Sequence, residues 1–222
     1  MRALDLFCGA GGATKGLQMA GFHVTGVDIK PQPHYCGDGF LQLDIMALNR
    51  PGLLGYDFIW ASPPCQFATA LRTMPNAKPH ENLIPRTREM LEASGRPYVI
   101  ENVEGARAHL RNPFRLRGTM FGLGTAGAQL LRERYFETSF AVGSLPSDEF
   151  DSEAPVIGIY GGHYRNRRRA AGLNREAPDF SAEDGKVAMQ IDWMTGNELS
   201  QAIPPAYSEW IARQWLEQRR AA

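Results

Sequence analysis

A short apolar run, Ala3 to Phe7, breaks at Cys8-Gly9-Ala10-Gly11-Gly12 and gives way to a helix-compatible stretch, Thr14 to Ala20, that ends at Gly21. This strand, glycine turn and helix constrain the fold more than any other feature, because the chain then repeats the unit. Phe22 to Ile29 reads as a second strand closing on Asp28, and another short apolar stretch precedes Asp44. Tyr56 to Ala61 runs as a strand into Ser62-Pro63-Pro64, where proline must end it. Ile84 to Ala93 has a helical pattern, and Pro97 to Val103 is again a strand. Strands separated by helices imply parallel βαβ units. The predicted fold is therefore α/β, a doubly wound, mostly parallel sheet with a small irregular insert.

The second half follows a different rhythm. Arg134 to Phe140 reads as a strand, residues 144 to 155 as an acidic link, and Val156 to Tyr160 as a further strand. Gly161 to Arg169 is the most basic stretch, and residues 174 to 186 read as polar loop. Pro204-Pro205 opens an amphipathic helix with Tyr207, Ile211 and Trp215 on one face. With 24 Lys and Arg against 24 Asp and Glu, the chain is no charge-driven, histone-like nucleic-acid binder, although a local basic patch is compatible with that balance. Three widely spaced cysteines, Cys8, Cys36 and Cys65, fit neither a disulfide framework nor a zinc site. No metal is expected, and the compartment should be reducing and cytoplasmic. No apolar run reaches the roughly 18 residues of a membrane span, so no membrane partner is expected.

Four places can carry chemistry. The glycine turn lets backbone amides approach a ligand, although no third glycine stands at the dinucleotide-fingerprint offset. Asp28, at the end of the second strand, suits ribose hydroxyls, and Asp44 an adenine edge; the bland alternative makes both simple loop acids. With no lysine for phosphates, the set leans towards a nucleoside cofactor such as S-adenosylmethionine. Cys65, just past a strand end and stiffened by Pro63 and Pro64, is either an inert thiol or a nucleophile facing the same crevice. Glu101 ends the next strand, either turned to solvent or buried as a usable carboxyl. Arg132 and Arg134 should share one face of their strand and could hold a carboxylate, a thiolate or a base carbonyl; a solvated edge is the alternative.

In order along the chain, DLFCGAGG (Asp5 to Gly12), Asp28, Asp44, PPCQ (Pro63 to Gln66), ENV (Glu101 to Val103), GTMFGL (Gly118 to Leu123) and RERYFE (Arg132 to Glu137) resemble the DNA cytosine-C5 methyltransferase family. ELSQAIPPAYSEWI, Glu198 to Ile211, resembles its C-terminal motif, and the chain looks like a small, phage-like member. The resemblance implies a Rossmann-like, S-adenosylmethionine-dependent methyltransferase fold. It also implies that Cys65 adds to C6 of cytosine, Glu101 bonds N3 and the exocyclic amine, Arg134 meets the base carbonyl, and Arg132 supports thiolate and base. Asp5, Phe7, Gly9, Gly11, Gly12, Asp28, Ile29, Asp44, Ile45, Pro63, Gln201 and Ala202 would hold the cofactor. Pro64, Gln66, Asn102 and Val103 would face the target. The partner would be DNA with the cytosine flipped out, and Phe67 to Pro85 resembles the loop closing over it.

Three departures qualify the match. Leu130 stands where the family usually has glutamine, with Gln129 beside it, and Ser200-Gln201 replaces the usual Gly-Asn. Most importantly, residues 141 to 186 alone fill the place of a target-recognition region, between a cofactor-binding catalytic domain at 1–140 and a returning C-terminal segment at 187–222. Within that insert His163, Tyr164, Arg165, Arg167, Arg168 and Arg169 form either a nucleic-acid contact or a solvated loop. The expectation is cytosine-C5 methylation of DNA with short or relaxed specificity, by a monomer in the cytoplasm of a bacterial or phage-infected cell. Alternatives are the same chemistry on RNA, a modified donor, a free nucleotide substrate, or a catalytically silent DNA-binding regulator.

Overall fold

The computed structural model describes residues 1–48, 50–68, 80–125, 127–166 and 179–221. Seven strands form the main sheet, in the order β3 (Gly39–Gln42), β2 (His23–Asp28), β1 (Arg2–Leu6), β4 (Phe58–Ala61), β5 (Tyr98–Asn102), β9 (Arg134–Thr138) and β6 (Phe114–Leu116). The first five are parallel, and β9 runs antiparallel to both its neighbours. The chain builds outward from β1 in one direction and from β4 in the other. The topological switch point therefore lies between them, where open α/β sheets bind ligands beyond the strands' carboxyl ends.

Period-two alternation divides the core into two layers. Ala3, Phe58, Trp60 and Val99 face one layer with Leu17, Tyr207 and Ile211, while Leu4, Leu6, Ile59 and Ile100 face the other with Ile84 and Leu91. The first layer is covered by α1 (Gly12–Met19) and α6 (Pro205–Ala221), the second by α2 (Arg50–Leu54) and α3 (Ile84–Ser94). Helices α1 and α6 touch almost backbone to backbone. A Cβ on Gly16 would stand 2.0 Å from Pro205 O and 2.1 Å from Ser208 Oγ, and Ser208 Oγ donates to Ala13 O at 2.8 Å. The chain's end is thereby fixed against the helix that follows the glycine turn.

A second, four-stranded sheet has the order β11 (His163–Asn166), β10 (Val156–Tyr160), β8 (Ala128–Leu130), β7 (Gly124–Thr125). It joins a hairpin from before residue 140 to one from after it. Two sequence expectations are corrected here. Arg132 precedes β9 and has φ +39°, so it does not alternate with Arg134 on a common strand face. The polar stretch expected to be loop as far as 186 is helical from Ala182, as α4 (Ala182–Met189), opened by reciprocal caps between Ser181 and Asp184. Thr195 and Glu198 form the same device at the start of α5 (Gly196–Gln201). No helix among the described residues is long and apolar enough to cross a membrane.

Candidate active site

The carboxyl ends of β1, β4 and β5 open into one cleft of about 530 Å³. Beyond β1 the backbone turns sharply, with Phe7 at φ +60°. That turn brings Gly9 N within 3.1 Å of Asp28 Oδ2, while Lys30 N donates to Asp28 Oδ1 at 3.0 Å. Asp28 is thus aimed at the turn by two backbone amides. Asp44 accepts from Met46 N at 2.9 Å and caps the short helical turn carrying Ile45. Trp193 Nε1, from the C-terminal part of the chain, donates to Ala10 O at 2.9 Å and braces the glycine turn from outside.

Asp5 lies at the floor of the cleft, 1% exposed. Its Oδ2 accepts from Thr14 Oγ1 at 2.6 Å, and its Oδ1 has no partner among the described residues. Burial pushes its carboxyl up to about 7 against the pull of the Thr14 hydrogen bonds. A buried, unmatched carboxylate oxygen beside a glycine turn fits a cationic ligand group, such as the ammonium of an amino-acid-bearing nucleoside.

On the β4 side, Asn102 Nδ2 donates to Pro63 O at 2.8 Å, and its Oδ1 accepts from Val103 N at 3.0 Å. The Pro63-Pro64-Cys65 segment is therefore held from β5. Arg134 Nε lies 3.1 Å from Glu101 Oε1, with both side chains largely buried. Burial pushes Glu101 above the ordinary carboxyl range, opposed by Arg134, a hydrogen bond from Ser62, and Arg132. Burial and the Glu101 charge push the Cys65 thiol up, while Arg134 and Arg132 pull it back. Such a constellation can deliver a proton from Glu101 beside a sulfur nucleophile.

Asp5, Phe7, Gly9, Gly12, Asp28, Ile29, Asp44, Ile45, Pro63, Gln201 and Ala202 all line this cleft, as do Pro64, Cys65, Gln66, Glu101, Asn102, Val103 and Arg134. Gly11 instead backs onto Cys36, whose Sγ donates to Gly11 O at 3.2 Å. Arg132 is buried outside the lining, its guanidinium given to the carbonyls of Ile159, Ser200 and Ala202. In the basic insert, strand alternation turns His163 and Arg165 outward. Tyr164 packs inward and is half-buried, where a Cβ on Gly185 would sit 2.1 Å from its ring. Arg167, Arg168 and Arg169 lie outside the described residues, as does most of the Phe67 to Pro85 loop.

Sequence reasoning missed Glu198 and Ser200 in the cleft wall. Glu198 accepts from Thr195 N and meets His34 at 3.0 Å; the Thr195-x-x-Glu198 spacing was a legible helix start. A second hollow of about 530 Å³ lies by the amino end of β5, between Tyr98, Arg111 and Glu137. Its carboxylate is already engaged, since Arg88 Nε and Nη2 donate to Glu137 at 2.7 and 2.6 Å.

No family model matches the chain. In overall structure it is similar to a protein described as a DNA modification methyltransferase encoded within an E. coli prophage (TM-score 0.63, 14% identity, 98% of this chain and 99% of that one). It is equally similar to the S. pombe Dnmt2 methyltransferase (TM-score 0.63, 15% identity, 98% and 99%) and to a mutant of Spodoptera frugiperda DNMT2 (TM-score 0.63, 14% identity, 97% and 100%). The chain shares its fold with these three proteins. By sequence, one stretch is 35% identical to the type II methyltransferase M1.HphI of Haemophilus parahaemolyticus, over 28% of this chain and 20% of that protein. That match spans only a fifth of the curated relative's length.

Proposed function

We propose that the chain transfers a methyl group from S-adenosylmethionine to C5 of cytosine in DNA, through a covalent bond between Cys65 and C6. The observation that carries this reading is the single cleft at the switch point. It joins the Asp28-braced glycine turn and the unmatched Asp5 oxygen to Cys65 and the Glu101–Arg134 pair. Asp5 would meet the cofactor's ammonium, Asp28 its ribose hydroxyls and Asp44 its adenine amine. S-adenosylmethionine, when bound, supplies the electrophilic methyl group.

C5 of cytosine is a poor nucleophile until C6 is saturated. Cys65 Sγ, as thiolate, bonds to C6 as the C5–C6 double bond opens, and protonated Glu101 gives its proton to N3. Arg134 holds Glu101 and the base carbonyl in register. After methyl transfer the C5 proton is lost to solvent, the S–C6 bond breaks to restore the double bond, and N3 returns its proton to Glu101. Burial that raises Glu101's hold on its proton supports this role.

The test is to incubate the protein and Cys65→Ala with DNA and S-adenosylmethionine, digest the DNA, and quantify nucleosides by mass spectrometry. Cys65-dependent 5-methylcytosine is expected. Its absence across varied DNA sequences overturns the reading, and 5-methylcytosine appearing only in an RNA arm replaces DNA by RNA.

A further inference from the structure

The hairpin β10–β11 has an outer face that the cleft does not use. Its closing pair is Tyr160 opposite His163, and the next pair on that face is Gly158 opposite Arg165. Between the strands, Gly161 and Gly162 have φ +56° and +77°, the tight two-residue turn that only glycine adopts readily at both positions. Directly opposed residues in an antiparallel pair project to the same side. One face therefore carries Tyr160, His163 and Arg165, all exposed, with Tyr160 at 55%. The other face carries Ile157, Ile159 and Asn166, all buried, with Tyr164. A large aromatic ring at an exposed turn, flanked by an imidazole and a guanidinium, is poorly explained by packing.

The hairpin is also fixed at the rim of the cleft. Ile159 O accepts from Arg132 Nη1 at 2.9 Å, two residues before Arg134. A Cβ on Gly162 would stand 2.9 Å from Asn197 Oδ1, on the helix whose end, from Ser200 to Ala202, walls the cleft. A rigid element is thus held between the residues beside Glu101 and those on the cofactor side.

We propose that the outer face of this hairpin grips the DNA beside the target cytosine, Tyr160 stacking on a base or sugar and His163 and Arg165 meeting flanking phosphates. This inference rests on the methyltransferase reading for its choice of DNA, and on the strand register for its choice of residues. It assigns the aromatic contact to Tyr160 rather than to Tyr164.

The experiment measures binding of a fluorescent DNA duplex by anisotropy across a salt series, for the parent chain and for Tyr160→Ala, Tyr160→Trp, His163→Ala and Arg165→Ala. Melting curves and S-adenosylmethionine affinity, read by calorimetry, report that each variant is folded with an intact cleft. Tyr160→Ala should weaken DNA binding about tenfold while Tyr160→Trp restores it. Arg165→Ala should lower the slope of log affinity against log salt by about 1. Folded variants that all bind DNA within about twofold of the parent overturn the proposal, as does a parent that binds no DNA at low salt, or losses confined to a matching RNA duplex. A parent that methylates DNA while every variant binds normally removes the hairpin's role alone. A parent that makes no 5-methylcytosine yet loses DNA through these variants removes the methylation reading alone.

Discussion

Arg132 donates twice to the carbonyl oxygen of Ala202, through Nε at 3.1 Å and Nη2 at 2.5 Å, seventy residues further along the chain. Nη2 also reaches Ser200 O at 2.6 Å, and Nη1 reaches Ile159 O. Tyr207 OH in turn donates to Arg132 O at 3.1 Å. One buried guanidinium thus joins the segment leading into β9, the second sheet and the C-terminal wall of the cleft.

Replacing it should separate positioning from chemistry. Arg132→Met leaves one buried and two partly buried carbonyl oxygens without their donor, and stability should fall by about 3 kcal/mol. That loss is readable as a lowered urea midpoint at unchanged slope. Because Ala202 and Ser200 wall the cofactor side, the KM for S-adenosylmethionine should rise more than kcat falls. Arg132→Lys, which keeps the charge but not the planar fork, should recover only part of both. An unchanged cofactor KM in a folded variant would confine Arg132 to stability.

The legibility of this chain followed the range of the interactions. The ends of β1, β4 and β5 could be read because alternation and turn residues are local, and the switch-point crevice follows from their order. Arg132 could not, since nothing local marks an arginine for φ +39°; tertiary acceptors dictate it. The exposure of Tyr160 beside the half-buried Tyr164 was hidden for a related reason. Which residue points outward depends on register, and Gly161-Gly162 set that register in plain view as a two-residue hairpin signal. Glu137, read as part of the arginine motif, is held by Arg88 and by Arg111 N, partners 49 and 26 residues away.

Asp5 should make the protein's stability depend on pH in a specific direction. Burial raises its folded value to about 7, above the ordinary carboxyl value of 3.8, so folding favours the protonated form. That contribution is whole below about pH 4, declines as pH rises, and is gone above about pH 7. Asp5→Asn keeps the shape without the titration. The urea midpoints of variant and parent should therefore diverge with pH, by up to about 1.4 kcal/mol per unit across that window. S-adenosylmethionine should show the opposite dependence in the parent, its ammonium binding more tightly as Asp5 ionises towards pH 7. The variant should bind weakly and without that slope. Parallel midpoint curves would rule out a shifted Asp5.

Glu101 and Cys65 should be separable by substitution. Glu101→Gln keeps a donor near N3 but cannot release a proton, so kcat should fall about 10²- to 10⁴-fold. DNA affinity should stay near the parent's. Cys65→Ala should abolish both turnover and the covalent trapping of a 5-fluorocytosine oligonucleotide. Since burial holds the Cys65 thiol above its ordinary value, the parent's rate should climb with pH through the neutral range. A flat profile, or trapping that persists in Cys65→Ala, would exclude this sulfur as the nucleophile.

Gly16 supplies a test that leaves every polar group of the cleft in place. A Cβ there would meet Pro205 O at 2.0 Å and Ser208 Oγ at 2.1 Å, both on α6. Neither can yield by a simple rotamer change, because Pro205 O is backbone and Ser208 Oγ is bound to Ala13 O. Gly16→Ala should therefore force α1 and α6 apart at a cost of about 1–3 kcal/mol, outweighing the gain in helix propensity. α1 begins at Gly12 and α6 follows Ile203, both in the cleft wall, so the strain should also reach the cofactor site as a several-fold rise in KM for S-adenosylmethionine. Gly21→Ala is the control. Its φ of +95° makes it costly in stability, but nothing stands within 4 Å of its Cβ, and the cofactor KM should not move. Equal effects of the two variants on KM would show that the close approach of α1 and α6 plays no part in shaping the cleft.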